Sequence, residues 1–267
     1  MTFSGNLTKL RSEPDNPVHY FLTLGDSEIE INPLLGKQIK LKHNGVINCM
    51  NCLKRTAKSY GQGFCYNCFL TVPQADESIF RPELSKAHLG IARDMEWAIG
   101  NDLIDHYVYL SITSDLKVGV TRYHQLFTRW IDQGAVKAIK LAKTPNRQIA
   151  GIIEVFLKKF VGDKTQWMKM LKGEIVEGID LPAEKERLIN FLPTELKQYA
   201  EPDYTVFDFN YPGSITSGKI SSVGFDDTPE ISGELCGIKG QYLIFTDGKV
   251  LNVRKYSGYF IEFEING

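Results

Sequence analysis

Four cysteines of this chain lie in one short stretch, where they form two pairs of the type C-x-x-C. The pairs are Cys49 with Cys52 and Cys65 with Cys68, and twelve residues separate them. Two residues between cysteines let both sulfurs of a tight turn point toward one ion, and two such turns supply the four thiolates of a closed tetrahedral zinc site. We therefore expect these cysteines to bind a structural Zn²⁺ that keeps no open position for water.

Two other interpretations of the cysteines stay open, a pair of disulfides or four unrelated core residues. Gly61 and Gly63 lie between the pairs beside Tyr60 and Phe64, which favours a turn between two short strands, as in a zinc ribbon. The usual gap in such sites is slightly longer, roughly fifteen to twenty residues. The fifth cysteine, Cys236, is expected to be a small apolar strand residue.

Charge is unevenly distributed along the 267 residues, although the net charge is only −1. Residues 115–172 contain twelve Lys and Arg against four Asp and Glu, whereas residues 173–235 contain four against thirteen. A basic block suits a polyanionic partner such as nucleic acid, DNA or RNA. The alternative is a lysine-rich helical surface that is simply solvated. The acidic block is either a docking surface or a polar helix and loop.

The overall composition, 43% hydrophobic and 24% charged, is typical of globular proteins. No stretch approaches the roughly 20 apolar residues that span a bilayer. The first residues also lack the basic and apolar segments of an export signal. We therefore expect no membrane partner and a cytoplasmic location in which the thiols stay reduced.

The elements that must position these residues begin with strands at both ends of the chain. Residues 19–24, 28–31 and 38–41 read as strands, and the second and third alternate polar with apolar side chains. Residues 242–245 and 250–253 flank an Asp-Gly turn, which is a strong hairpin signal, and 260–265 alternate again. Neither end has enough strands for a stable sheet alone, so we expect the two ends to pair in one small antiparallel sheet or barrel.

The middle of the chain mixes strands and helices. Residues 107–112 and 116–120 indicate a hairpin, and a helix is expected over 126–133. A second helix is predicted to begin at Thr144-Pro145, with the threonine as N-cap, and to be largely buried. Asp163 is expected to cap a further helical turn that carries Trp167. A last helical region is expected over 182–199, where Pro182 and Pro193 mark starts.

A resemblance to a known family emerges from residues of this middle segment. Tyr107-Val108-Tyr109, Lys117-Val118-Gly119-Val120-Thr121, Thr128-Arg129-Trp130 and the helical Glu154 follow one another in the order found in the GIY-YIG nuclease module. Residues 105–172 resemble that module, which implies a short antiparallel sheet flanked by helices. It also implies a phosphodiester-cleaving site with Tyr109, Arg129 and Glu154 as catalytic residues. In that site Glu154 would hold a divalent metal, Mg²⁺ or Mn²⁺.

The chemistry of these residue types is coherent with that implication. Phosphodiester hydrolysis needs a nucleophilic water, a metal at the phosphoryl oxygens and a cation for the developing charge. Arg129 could give two donors to phosphate oxygens. Lys117, Arg122 and Arg147 are candidates for further phosphate contacts, and Trp130 could stack on a base.

Other features favour binding without efficient cleavage. Lys117 stands where active nucleases of that module usually have a tyrosine, and residues 162–165 offer no clear match for the usual asparagine. Glu154 could instead form a salt bridge with Arg129 or Arg147, and Trp130 could belong to the core.

The chain as a whole resembles domain-of-unknown-function family 2797. The residues that carry this second resemblance include Cys49 to Cys68, Arg81-Pro82-Glu83-Leu84, His106-Tyr107-Val108-Tyr109-Leu110, Arg129-Trp130-Ile131-Asp132-Gln133-Gly134-Ala135 and Gly237-Ile238-Lys239-Gly240-Gln241-Tyr242-Leu243. They cover nearly the full length, but this family implies no established activity.

Together these observations predict an α+β protein in six segments. The segments are the N-terminal strands (1–46), the zinc ribbon (47–72), a connector (73–104), the GIY-YIG-like module (105–172), a helix with an acidic loop (173–229) and a C-terminal hairpin region (230–267). The functional hypothesis is a zinc-containing nucleic-acid-binding protein. The alternatives are a metal-dependent nuclease and, further, an enzyme on another substrate or a protein-interaction module.

Overall fold

A computed structural model describes residues 1–213 and 218–266 as a mixed α+β protein. The strands of the described residues are β1 (Thr2–Asn6), β2 (Arg11–Glu13), β3 (His19–Leu24), β4 (Ser27–Glu30), β5 (Gln38–Ile47), β6 (His106–Ile112), β7 (Leu116–Arg122), β8 (Lys137–Thr144), β9 (Val206–Asp208), β10 (Ser221–Val223), β11 (Glu230–Lys239), β12 (Tyr242–Phe245), β13 (Lys249–Asn252) and β14 (Tyr259–Asn266). The α-helices are α1 (Tyr66–Thr71), α2 (Met95–Asn101), α3 (Leu126–Asp132), α4 (Arg147–Leu157), α5 (Trp167–Lys172), α6 (Leu181–Phe191) and α7 (Thr194–Lys197). They fall into two compact units, one made of Met1–Leu70 with Asn210–Gly267 and the other of Thr71–Phe209.

The first unit is built from both ends of the chain. Its larger sheet has the order β1-β14-β5-β11-β12-β13-β10, and neighbouring strands are antiparallel except β10 and β13. β14 lies between β1 and β5, with Thr2 opposite Glu264 and Leu41 opposite Phe263. The prediction that the two ends pair is therefore confirmed for 38–41, which belongs to β5, and so is the hairpin between β12 and β13. It is wrong for 19–24 and 28–31, which belong to β3 and β4 of a separate sheet.

A second, smaller sheet of the first unit joins β2, β3 and β4. In β3 every second side chain is buried, which is the two-residue period of a strand with one face on the core. Gly5 of β1 lies against the backbone of Leu24 at the end of β3, and any side chain at position 5 would meet that backbone. The close approach of the two segments therefore requires a glycine there.

The second unit has a four-stranded antiparallel sheet of order β7-β6-β8-β9. Helices α4 and α6 pack on it, so that Leu110 and Ile139 of the sheet share a core with Ile153 and Leu188 of these helices. β6 is central and almost wholly buried, which places its residues between the sheet neighbours and the helices. The predicted hairpin over 107–120 is confirmed as β6 and β7.

Two predicted helix starts are wrong. The helix after β8 begins at Arg147 with Asn146 as N-cap, whose side chain accepts a hydrogen bond from the Ile149 N–H. Thr144 still belongs to β8, where its hydroxyl bonds to backbone carbonyls. α5 begins at Trp167 without a side-chain cap, so Asp163 does not cap it.

Helix α4 is largely buried, as predicted, with six of its eleven residues buried. Ile153 is fully buried, whereas Ile152 and Val155 on the opposite side are each 40% exposed. Gly151 lets the helix approach the turn at Pro82–Leu84 so closely that a side chain there would collide with the backbone of Glu83.

The predicted last helical region is present as α6 and α7. Pro182 lies in the first turn of α6 and Pro193 is the N-cap of α7. Among the helices of the described residues, none combines the length and the apolar character needed to cross a bilayer.

Candidate functional site

The four paired cysteines form a compact cluster at the end of β5. Cys49 follows β5, and Leu53, which adopts a positive φ of 60°, closes a tight turn by donating its N–H to the Cys49 carbonyl. A second turn is closed by two backbone hydrogen bonds between Tyr60 and Phe64. Gly63, at a φ of 104°, lies against Met50, and a side chain there would displace it. Cys65 then directly precedes α1.

The sulfur geometry fits a single tetrahedral ion. All four ligand atoms lie within 4.8 Å of one another, and the Cys52 and Cys65 sulfurs are 3.9 Å apart. Zinc–sulfur bonds of about 2.3 Å place the sulfurs of a tetrahedral site about 3.8 Å apart. All five cysteines are free thiols. The pair of disulfides that the sequence left open is therefore absent from the described residues, and the cluster could hold a metal ion.

Local hydrogen bonds favour thiolates at part of this cluster. Burial opposes ionisation of Cys49, but bonds from the backbone of Cys52, Cys65 and Asn51 outweigh it and lower its pKa to about 6. The Asn51 side chain also donates to the Cys68 sulfur at 3.4 Å, but burial and the three neighbouring sulfurs outweigh this bond and raise the pKa of Cys68 to about 12. Donors directed at sulfur stabilise the charged, metal-binding form.

The surroundings of the second pair differ from the predicted strand–turn–strand. The backbone pairing around the cluster is limited to the single bridges Asn48 with Arg55 and Tyr60 with Phe64. Cys68 lies on helix α1 rather than on a second strand, because the Phe69 N–H bonds to the Cys65 carbonyl and starts helical pairing. The cluster is thus two tight turns followed by a helix.

A second constellation lies in the other unit, where two strands and two helices meet. Tyr109 comes from β6, Lys117 from β7, Arg129 from α3 and Glu154 from α4. The Arg129 charge acts on the ionisation of each of the other three, so the four side chains are neighbours. We refer to these four residues as the Arg129 cluster.

Tyr109 is the buried centre of this cluster. Its hydroxyl donates to Gln133 Oε1 at 3.1 Å, and its ring meets Trp130 edge to face at 5.9 Å. Burial raises the pKa of the phenol, and nearby Arg129 opposes that rise. Gly119 on β7 lies directly opposite, where a Cβ would come within 2.5 Å of the Tyr109 hydroxyl oxygen. The glycine therefore makes room for the phenol.

Lys117 is a buried cation that sits close to its titration point at neutral pH. Its side chain donates to the Thr165 hydroxyl at 3.1 Å, and it is only 4% exposed. Burial, reinforced by the charge of Arg129, lowers its pKa to about 7. Such strongly shifted groups concentrate at functional sites, although structural networks also produce them.

Glu154 is a buried carboxylate that shares one cation with a neighbour. Burial raises its pKa, and Lys158, one helical turn later, opposes the rise. The Lys158 ammonium lies 3.5 Å from Glu154 and 3.3 Å from Asp163. The salt bridge from Glu154 to Arg129 or Arg147 that the sequence left open is not formed. In the described part of the chain Arg129 has no ion pair at all, and it is half-buried.

Other predicted nucleic-acid contacts are placed elsewhere by the structure. Trp130 is fully buried among aromatic rings such as Phe127 and Phe209, so it offers no face on which a base could stack. Arg147 is also buried, with its Nε 2.6 Å from an oxygen of Asp102, which commits its guanidinium to the interior. Both placements correct the prediction that these two residues contact nucleic acid.

Arg122 is only partly available. Its Nε donates to the Asn101 carbonyl at 2.9 Å, its guanidinium lies 5.1 Å from the Trp97 ring centroid, and burial lowers its pKa to about 10. The structure also adds residues that were not singled out from the sequence, Gln133, Lys158 and Thr165. Of these, Lys158 could have been found from its i,i+4 spacing to Glu154.

Comparison with known families supports only one of the two resemblances. Residues 36–261 match the family described as Protein of unknown function (DUF2797). The chain belongs to this family. No curated protein and no solved structure matches the chain. The family membership thus covers both the cysteine cluster and the Arg129 cluster, and the resemblance of residues 105–172 to the GIY-YIG module has no support from these comparisons.

Proposed function

We propose that this DUF2797 protein binds the phosphate backbone of nucleic acid at the Arg129 cluster. The observation that carries the proposal is the position of Arg129, which forms no ion pair in the described residues although it neighbours buried, electrostatically perturbed side chains. A guanidinium held in this way can give two parallel hydrogen bonds to a phosphate. Lys117, when protonated, adds a second positive charge at the same place.

The basic character of the surrounding segment supports a polyanion rather than a small acid. Residues 115–172 carry the excess of Lys and Arg already noted, and several of these side chains, such as Lys164 and Lys169, are exposed. Spread over one segment, such charges bind successive phosphates and release counterions.

Binding is tested by fluorescence anisotropy with labelled single-stranded DNA, duplex DNA and RNA over a series of salt concentrations. Arg129→Ala is expected to weaken binding about tenfold, since one charge-assisted contact is worth about 1.5–3 kcal/mol. It should also reduce the salt slope by about 0.7–0.9 for one lost phosphate contact. The matched control is Arg187→Ala, an exposed arginine of α6 paired with Glu184. Equal effects of both substitutions would refute the proposed site.

A second candidate function is metal-dependent cleavage, which the carboxylate of Glu154 favours. Glu154 and Asp163 would hold the divalent ion, Mg²⁺ or Mn²⁺, which would polarise a phosphoryl oxygen. Two observations favour binding without efficient cleavage. The Lys158 ammonium lies between these carboxylates, and Lys117 stands where nucleases of the GIY-YIG type have a tyrosine.

The cleavage assay uses the same nucleic acids with Mg²⁺, with Mn²⁺ and with EDTA. Cleavage that requires metal and disappears in Glu154→Gln would establish the second function. Lys158→Met should then increase cleavage, because it removes the competing cation. Lys159→Met is its matched control. Binding without cleavage in every variant would leave the first function alone.

We further propose that the four cysteines hold a structural Zn²⁺. All four positions of a tetrahedral ion would be taken by sulfur, so the ion would organise the turns around it without acting on a substrate. Metal analysis of the purified protein should find one zinc per chain. Such a site also needs reduced thiols, which agrees with a reducing compartment such as the cytoplasm.

A further inference from the structure

A pocket of about 360 Å³ lies in the second unit, and none of the residues that line it belongs to the Arg129 cluster. It is formed by the short turns of residues 73–93 together with Trp97 of α2 and with Asp102. Its size falls within the range of small-ligand sites, about 300–1,000 Å³. The pocket combines a polar base, an aromatic wall and an exposed lysine, and we call it the Trp97 pocket.

The base of the Trp97 pocket holds a buried acceptor with spare capacity. Asp102 is 4% exposed, and one of its carboxylate oxygens accepts a hydrogen bond from Arg147 at 2.6 Å. The other oxygen has the Ser85 hydroxyl at 3.5 Å, which is the outer limit of a hydrogen bond. Ser85 is itself 5% exposed. A ligand with an N–H donor could therefore bind the second oxygen of Asp102.

The charges around the pocket favour an anionic ligand. Asp102 is neutralised by Arg147, and Asp76 is neutralised by Arg93 at 2.9 Å. Lys86 lines the same pocket, is exposed, and forms no ion pair within the residues that the structure describes. The excess charge of the pocket is thus positive, and a ligand whose only charge is positive would be repelled.

The wall of the pocket offers a flat surface for an aromatic ring. Trp97 is half-buried, and the Arg122 guanidinium lies 5.1 Å from its ring centroid. Leu84 and Ile91, which are 37% and 58% exposed, add apolar surface. The indole of Trp97 is the lining group on which a nucleobase can stack, and Arg122 is not among the lining residues.

We propose that the Trp97 pocket binds a nucleobase that carries a phosphate group. The base stacks on Trp97 and donates an N–H to Asp102, and the phosphate accepts from Lys86. The same chemistry is presented by a free mononucleotide and by a base turned out of a bound strand. A base turned out of a strand bound at the Arg129 cluster would have a short distance to cover. Arg147, which contacts Asp102 of the pocket, and Glu154 of the Arg129 cluster lie on one face of α4, about 10 Å apart along the helix.

The direct test is a titration of the full chain with each of the four ribonucleoside monophosphates, in which tryptophan fluorescence is measured as the readout. Binding with a Kd of about 10 µM to 1 mM is expected for at least one of them. The chain also contains Trp130 and Trp167, so the Trp97→Phe variant identifies the part of the signal that comes from the pocket. The corresponding nucleoside, which lacks the phosphate, should bind about tenfold more weakly.

Two substitutions separate the pocket from general electrostatics. Lys86→Ala should weaken mononucleotide binding about tenfold, whereas Lys197→Ala, at an exposed lysine of α7, should leave it unchanged. Trp97→Leu should weaken mononucleotide binding by about tenfold or more, because the stacking surface is lost. Trp97→Phe should retain most of the affinity, which is measured by calorimetry because this variant lacks the fluorescent side chain. Circular dichroism checks that the variants are folded.

The source of the base is identified by comparing the mononucleotide with a single-stranded oligonucleotide of the same base. If the oligonucleotide binds far more tightly than the mononucleotide, and if both Lys86→Ala and Arg129→Ala weaken its binding, the pocket is assigned to a base of a bound strand. Similar affinities assign it to a free nucleotide. The mononucleotide titration does not depend on Arg129. If nucleic acid does not bind at the Arg129 cluster, the titration therefore still tests the Trp97 pocket. Absence of any Trp97-dependent signal with mononucleotide and oligonucleotide alike would overturn the proposal, as would equal effects of Lys86→Ala and Lys197→Ala.

Discussion

Replacing Lys117 by methionine should make the protein more stable, and the gain should depend on pH. The pKa of Lys117 is lowered from 10.5 to about 7 because the ammonium is buried. The difference between these values corresponds to at most about 5 kcal/mol of unfolding free energy. Below pH 7 the wild-type protein bears this whole cost, because Lys117 is then charged in both the folded and the unfolded chain.

The sign of the pH dependence follows from proton binding. Between pH 7 and pH 10.5 the unfolded chain keeps a proton on Lys117 that the folded chain has released, so the unfolding free energy of the wild type rises with pH. The advantage of Lys117→Met should therefore fall from at most about 5 kcal/mol at pH 6 to about 1 kcal/mol at pH 10. Loss of the bond to Thr165 subtracts about 1 kcal/mol at every pH.

Urea unfolding of both proteins at pH 6, 8 and 9.5 measures this difference. Lys197→Met is the control, because its side chain is exposed and should give a small effect that does not change with pH. A difference between wild type and Lys117→Met that is constant from pH 6 to pH 9.5, or that grows with pH, would refute the reasoning.

Three further outcomes test other parts of the structure. Cys52→Ser should remove bound zinc, as measured by metal analysis, because a closed site loses one of its four ligands. Gly119→Ala should destabilise the protein by about 1–3 kcal/mol, since its methyl group would meet the phenol oxygen opposite, whereas Gly100→Ala has open space and should not. Arg147→Met should cost about 3–5 kcal/mol in thermal or urea unfolding, because it leaves the Asp102 charge buried and unpaired.

Much of the fold could be predicted because its signals are local. The strands at both ends alternate polar and apolar residues, and Asp247-Gly248 marks the turn between β12 and β13. The two short cysteine spacings predict that the four sulfurs converge. The order of strand and helix motifs predicts that Tyr109, Arg129 and Glu154 come together, as they do, although their roles in binding or cleavage stay predictions.

The buried position of Trp130 could also have been found from its helix. Leu126 and Trp130 are four residues apart and therefore share one face of α3, and that face is the buried one. Considered by itself, Trp130 is an aromatic residue beside an arginine, which led to the prediction that it stacks on a nucleobase. The periodicity of the whole helix assigns it to the core.

The ion pair of Arg147 with Asp102 could not have been predicted from the sequence. The two residues lie 45 positions apart, and no spacing rule connects them. The helix at Cys68 was missed for a different reason. Two tight turns can be followed by either a strand or a helix, and the spacing of the cysteines does not distinguish the two; in the structure the Phe69 ring of the helix lies close to Gly61.

The construction of the first unit from both chain ends has a consequence for synthesis on the ribosome. Strand β5 leaves the exit tunnel early, but its neighbour β14 is translated about 200 residues later. At about 5–20 residues per second, β5 waits about 10–40 s for that neighbour, while the uninterrupted second unit can already fold. During this interval the nascent chain exposes unpaired edges of β5, and such edges favour aggregation until β11 and β14 have been made.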